Sequence, residues 1–232
     1  MSAGGAGRSE RLDSVVAQDY VKTIYASTEW GGTPISVTGL AQRLGVAPST
    51  ASETIKRLAQ AGLVEHAPYR GVRLSEEGRR EALTIIRRHR ILETYLHDRL
   101  GFDWDEVHQE AEALEHAVSD RLIDRMDAEL GRPRHDPHGD PIPEADGTIT
   151  YADTKPLADL GEGETSYVVR ISDRDGELLR FLRARDLNPG QRVRLRTRRD
   201  YAGTIAVDVG AEGREEQMEL GVPAALAVWV RA

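Results

Sequence analysis

Between His108 and His116 the chain reads "HQEAEALEH", a run of imidazoles and carboxylates uninterrupted by Pro or Gly. On an α-helix at about 100° per residue, with His108 at zero, Glu112 falls near 40°, Glu115 near 340° and His116 near 80°. Four side chains able to ligate a metal thus share an arc of about 100°, while Glu110 points to the far side. Val107, Ala111, Leu114, Val118 and Leu122 fill the adjoining stripe, so the ligand face borders a buried one. Upstream, His89 and Glu93 stand one turn apart on a single face. Carboxylates at the edge of a core repel one another and lose hydration. A divalent cation removes both costs. The alternative is a solvated helix face with incidental salt bridges to Arg87, Arg90 or Arg121.

The chain contains no cysteine. Disulfides, thiolate zinc sites and thiol catalysis are therefore excluded, and a metal must be held by nitrogen and oxygen. Carboxylate-rich ligands favour Mn²⁺, or alternatively Fe²⁺, over Cu⁺ or structural zinc. Co²⁺, Ni²⁺, Zn²⁺ and Cd²⁺ are expected to bind in vitro.

The elements that must carry these residues follow from periodicity. Val16, Tyr20 and Ile24 mark a first helix, stopped at Gly31-Gly32. Leu40, Ala41 and Leu44 form a short amphipathic helix ended by Gly45. A second starts at "APSTASETIKRLAQAG": Pro48 suits its first turn, Thr50 with Glu53 fits a capping box, and Ala51, Ile55 and Leu58 face inward. "LVEHAPYRGVRLS" reads as two short strands around a turn at Tyr69, Arg70 and Gly71. Helix, tight turn, helix and hairpin together make a winged helix-turn-helix. A long helix from Glu76 to about Leu100 breaks at Gly101, and a further helix runs from about Asp103 to Leu130. "GRPRHDPHGDPIPEADG" holds four prolines and is a connector. In it His135, Asp136, His138 and Asp140 are read as turn residues rather than ligands. From Ser166 to Ala232, runs such as "YVVRIS", "RVRLRT", "TIAVDV" and "ALAVWVRA" alternate with Gly turns and one short helix, as in a small barrel.

The 232 residues carry a net charge of −8, with 39% hydrophobic and 30% charged residues, enough to fill a core. The charge is unevenly spread. Arg43 to Arg90 has ten Lys/Arg against five Asp/Glu, whereas Asp103 to Glu129 has ten Asp/Glu against two Arg. The basic region coincides with the winged helix, where a duplex would lie. Pro48, Ser49, Thr50, Ser52 and Glu53 open the recognition helix and are expected at base edges, with Lys56, Arg57, Arg70 and Arg73 on phosphates. Arg43 is read as a phosphate or surface residue. No apolar run reaches the roughly 18 residues needed to span a bilayer, and the polar start is no secretory signal. The expected location is the cytoplasm.

The winged helix, His89-x-x-x-Glu93, His108-x-x-x-Glu112-x-x-Glu115-His116 and "DPHGDPIP" together resemble the diphtheria-toxin-repressor family of metal-dependent repressors. Within it the chain is similar to the manganese-sensing branch with a C-terminal extension. The resemblance implies a mainly α fold with β: residues 1–13 a disordered tail, 14–75 the DNA-binding domain, 76–143 the helical metal-binding and dimerisation domain, 144–165 a linker and 166–232 an SH3-like, FeoA-type barrel. It implies a primary metal site of Asp19, Glu112, Glu115 and His116, and an ancillary site of His89, Glu93 and His108, with Asp173 from the barrel. Iron-sensing members carry cysteine where Glu112 stands and methionine where Asp19 stands, so this set favours manganese. Lys22 replaces the glutamate of short manganese sensors, which points to two separated mononuclear sites.

The function implied is a manganese-dependent repressor of metal-uptake genes, binding palindromic operator DNA as a homodimer, one or two dimers per operator, with no membrane and no small-molecule substrate. The dimer is expected through the helices around Gly101 to Leu130, using Trp104, Leu114, Val118, Leu122 and Ile123. An iron-dependent repressor, a di-metal carboxylate enzyme, a hydrolase and a protein-binding winged-helix adaptor are the rival readings.

Overall fold

The computed structural model describes residues 15–66 and 71–232. The chain falls into two compact units, one up to Arg88 together with Pro143–Thr148, the other of His89–Ile142 and Ile149–Ala232. The expected N-terminal tail, Tyr69 and Arg70 lie outside the described residues.

In the first unit α1 (Val15–Thr28), α2 (Val37–Arg43) and α3 (Pro48–Gln60) pack against the hairpin of β1 (Val64–His66) and β2 (Val72–Leu74). Its core joins Ala17, Tyr20 and Ile24 of α1 to Leu40, Ala41, Ala51, Ile55, Leu58, Leu63 and Val72. Val16 does not share that row: it is 54% exposed, and Ala17 takes its place. The turn between α2 and α3 places Gly45 at φ +65°, a left-handed value open to glycine. The capping box expected at Thr50 is not formed. Pro48 occupies the first helical turn with Ala47 as N-cap and no side-chain cap bond, because the pyrrolidine ring fixes a helical φ two residues earlier. Thr50 therefore sits inside the first turn.

The long helix α4 runs Glu76–Leu100, as its periodicity requires, and ends where Gly101 adopts φ +75°. The expected helix from Asp103 to Leu130 is two. α5 covers Val107–Leu114, and after a turn at Glu115–Val118, α6 covers Asp120–Glu129. Ser119 causes the restart: its side chain accepts from the Leu122 N–H, an N-cap that competes with helix continuation. Ile91, Leu92 and Leu96 of α4 pack with Val107, Ala111, Ile123 and Ile142. Leu114 and Leu122 are 38% and 44% exposed, whereas Trp104 and Ile123 are buried within the chain. Those two are thus unavailable to a dimer face, Trp104 because its ring joins the barrel core.

That barrel is an antiparallel sheet ordered β3-β8-β4-β5-β6-β7 among the described residues. Its strands are β3 (Thr154–Pro156), β4 (Thr165–Ile171), β5 (Arg192–Arg199), β6 (Thr204–Val209), β7 (Glu216–Gly221) and β8 (Val228–Arg231). Helices α7 (Gly176–Arg183) and α8 (Val222–Leu226) complete it. The sheet begins before Ser166: β3 pairs Thr154 with Arg231 and Pro156 with Trp229. Alternation along β4 and β5 turns Val168, Val193 and Leu195 inward onto Leu179 and Leu182 of α7.

Candidate metal centre

Three elements of the second unit converge on one carboxylate. Glu93, on α4, is 0% exposed. One turn earlier His89 places Nε2 2.8 Å from Glu93 Oε1. From α5, His108 Nδ1 lies 3.2 Å from the same oxygen and 3.2 Å from Asp173 Oδ2. Asp173 stands in the turn after β4, just before Asp175 caps α7. One ligating atom from each of His89, Glu93, His108 and Asp173 lies within 4.8 Å of the others. This is the ancillary set expected above, barrel aspartate included, brought together in space.

The rest of the ligand face lies around it. His89 Nδ1 is 2.5 Å from Glu115 Oε2, and His116 Nε2 is 3.5 Å from Glu115 Oε1. Glu115 is buried although it caps the end of α5 rather than lying within a continuous helix. Glu112 is more than half exposed and lies 3.5 Å from His108 Nε2. Asp19 is on α1 in the first unit and partly buried.

The connector supplies two groups expected from the sequence as turn residues only. Asp136 does make the turn bonds: its Oδ1 accepts from the backbone N–H of His138 and of Asp140, each at 2.9 Å. Yet both Asp136 and His138 are buried, and their ligating atoms gather with Glu93 within 4.8 Å. His138 Nε2 lies 2.6 Å from the Trp104 carbonyl oxygen, which can only accept, so that nitrogen carries the proton. Nδ1 then faces Glu93 Oε2 at 3.8 Å, and neither atom has a hydrogen-bond partner among the described residues. Gly139 explains how the loop gets so deep. At φ +89° it passes so close to β4 that a Cβ would sit 2.0 Å from the Val169 carbonyl oxygen. His135 stays exposed.

Burial and charge act against each other throughout this cluster. Burial alone would raise Glu93, but the charge of His89 and the imidazoles of His108, His138 and His89 around it hold it well below the usual carboxylate range. Burial would likewise lower His108, but hydrogen bonds to Asp173 and Glu93 lift it to about 10. His138 also rises to about 10 against burial, through Glu93 and Asp136. Asp173 is depressed by His108 despite its own burial. Asp136 goes the other way, raised by burial and by Asp140 and Glu93. Donors of nitrogen and oxygen only, with orphaned atoms of Glu93 and His138 between them, suit a hard divalent ion.

The recognition helix is open to solvent where a duplex would be read. Pro48, Ser49, Thr50, Glu53, Lys56 and Arg57 are exposed and Ser52 half-buried; Arg43 and Arg73 are exposed too.

Comparison with known proteins agrees with this architecture domain by domain. Residues 14–72 match the iron dependent repressor N-terminal DNA binding domain, 75–144 the iron dependent repressor metal binding and dimerisation domain, and 155–232 the FeoA domain. The iron-dependent repressor IdeR of Mycobacterium leprae is 32% identical over 81% of this chain and 86% of its own. The Mycobacterium tuberculosis IdeR is 39% identical, over 53% of this chain and 54% of its own, so the chain spans about half the length of that relative. A solved manganese-dependent transcriptional repressor in complex with manganese is 48% identical, covers 93% of this chain and 99% of its own, and superposes with a TM-score of 0.88. ScaR with bound Cd²⁺ is 27% identical over 93% and 98%, with a TM-score of 0.80. This chain belongs to the diphtheria-toxin-repressor family of iron-dependent repressors, among those members that carry a C-terminal FeoA domain.

Proposed function

We propose that the protein is a transcriptional repressor that grips operator DNA as a homodimer when Mn²⁺ is bound, with Fe²⁺ as the alternative activator. The observation that carries this is the buried meeting of His89, Glu93, His108 and Asp173 around orphaned ligand atoms, in a chain whose winged helix leaves its recognition residues exposed. Manganese is favoured by the absence of any sulfur ligand and by the likeness to a manganese-dependent repressor. Co²⁺, Ni²⁺, Zn²⁺ and Cd²⁺ are expected to occupy the same ligands in vitro.

Two centres are assigned. In the second centre His89, Glu93, His108 and Asp173 hold an ion, with His138 and Asp136 on its inner side. Asp19, Glu112, Glu115 and His116 hold the other, an assignment carried over from the family. A metal joining α1 to the acidic helical body would fix the position of the DNA-reading domain. Two recognition helices of a two-fold dimer must lie about 34 Å apart, or a multiple of it, to read a palindrome. Ser49, Thr50, Ser52 and Glu53 then face base edges, and Lys56, Arg57, Arg70 and Arg73 face phosphates. Coupling of about 1–3 kcal/mol changes operator affinity roughly 5- to 150-fold. By linkage, DNA tightens metal binding by the same factor. The protein acts as a regulator, not as an enzyme.

A gel-shift titration with and without Mn²⁺ tests the proposal. The wild type should retard operator DNA only with metal, and Asp19→Ala or Glu112→Ala should lose the metal response while remaining folded. Retardation that ignores Mn²⁺ would defeat the activation reading, and a full metal response in both variants would defeat the centre of Asp19, Glu112, Glu115 and His116.

A further inference from the structure

Arg170 lies near the end of β4, three residues before Asp173, and is 4% exposed. Its guanidinium pairs with Asp140: Nη2 donates to Oδ2 at 3.1 Å, and Nε lies 2.8 Å from Oδ1 as an ion contact without hydrogen-bond alignment. The other face of the group is stacked, with Cζ 4.3 Å from the centre of the Trp229 ring on β8. A planar cation held between a ring, one charge-assisted hydrogen bond and a close ion contact has little freedom left.

Asp140 passes that rigidity inward. Its Oδ1 lies 3.7 Å from Arg90 Nη2, while Arg90 Nε lies 3.6 Å from Asp136 Oδ2 and Nη1 donates to the Pro141 carbonyl at 2.6 Å. Asp136 in turn bonds the His138 backbone, and the His138 carbonyl accepts from Ile171 of β4. The loop bearing His138 is thus pinned on one side to α4, which carries His89 and Glu93, and on the other to β4, which leads to Asp173. Among the described residues, Arg90 and Arg170 are the arginines facing the buried carboxylates Asp136 and Asp140. Without Arg170, Arg90 would be left to compensate both. Asp140 would draw Arg90 away from Asp136, and the loop would lose its side-chain anchor to the barrel, keeping the Ile171 N–H to His138 carbonyl bond.

We infer that Arg170 is a positioning residue of the second metal centre: by clamping Asp140 it fixes His138 and Asp173 relative to Glu93, so that the barrel sets the ion affinity of that centre. This rests on the reading that Glu93, His108 and Asp173 hold a divalent ion. Removing an outer partner of metal ligands typically costs 10- to 100-fold in affinity.

The test is calorimetric titration of Mn²⁺ into the full chain, beside the metal-free melting temperature and the visible spectrum of the Co²⁺ form. Asp173→Ala identifies the binding step that belongs to the second centre. Arg170→Met should weaken that same step at least 10-fold and alter the Co²⁺ band pattern. Arg170→Lys, which keeps the charge but not the planar group, should recover only part of the loss. Asp140→Asn reads the same clamp from its other end and should act in the same direction if Arg170→Met does not fold. A lowered metal-free melting temperature with that step unchanged within twofold would overturn the inference, leaving Arg170 a stabilising residue alone. If Asp173→Ala leaves every Mn²⁺ step unchanged, the second centre itself is misassigned and the inference falls with it.

Discussion

Gly139 is the position at which backbone geometry and metal chemistry meet most tightly. A methyl group there would lie 2.0 Å from the Val169 carbonyl oxygen and 2.9 Å from the Arg170 Cα, where ordinary contact begins at 3.4 Å. Both neighbours are backbone of a paired strand, so the loop must retreat by more than an ångström. The left-handed φ of +89° costs a non-glycine residue about 1–2 kcal/mol before any clash. Retreat also breaks the Ile171 N–H to His138 carbonyl bond of 2.9 Å, worth about 1 kcal/mol. Gly139→Ala should therefore destabilise the second unit by roughly 2–4 kcal/mol. With a urea m-value of about 2 kcal/mol/M the midpoint falls by about 1–2 M, read by the fluorescence of Trp104 and Trp229. Gly131→Ala separates the two contributions: Gly131 has φ +79° but nothing within 4 Å of a built Cβ, so it should show only the conformational cost. Gly139→Ala should also weaken Mn²⁺ binding, because His138 moves with the loop. Equal costs for the two variants would refute the argument that close approach to β4 seats His138.

Three further outcomes follow from single groups. His108 has a folded pKa of about 10 against 6.5, so its stabilising charge is fully present below about pH 6.5 and is lost as pH rises toward 10. The metal-free melting temperature should fall across that window, less steeply in His108→Asn, and Mn²⁺ affinity should rise across it as fewer protons need displacing; a flat wild-type profile would contradict this. The Tyr20 hydroxyl is buried in the winged-helix core without a hydrogen-bond partner among the described residues, so Tyr20→Phe should be neutral or stabilising by up to about 1–2 kcal/mol in thermal melts. Ser119→Ala should cost about 1 kcal/mol by removing the cap of α6; no loss would mean that the break after α5 is set by packing instead.

What could be read in the sequence was what is local. Leu40, Ala51, Ile55 and Leu58 repeat at helical spacing because one face of each helix is buried, and His89 meets Glu93 because i and i+4 share a face. The break before α6 escaped that reasoning since Leu114, Val118 and Leu122 keep helical spacing across it; only the cap chemistry of "SDRL" marks the restart. The connector shows the stronger limit. "DPHGDPIP" has the composition of a solvated turn, and Asp136 makes turn bonds. Its burial, however, is decided by α4 and β4, which approach it from dozens of residues away in either direction. No window of sequence contains both Glu93 and His138, or both Arg170 and Asp140. The proposed metal centre is therefore half local and half assembled. The helix pairs specify that a cation can be held, whereas the loop and the barrel fix how closely its ligands can approach. Affinity, which varies steeply with that approach, belongs to the half that periodicity does not encode.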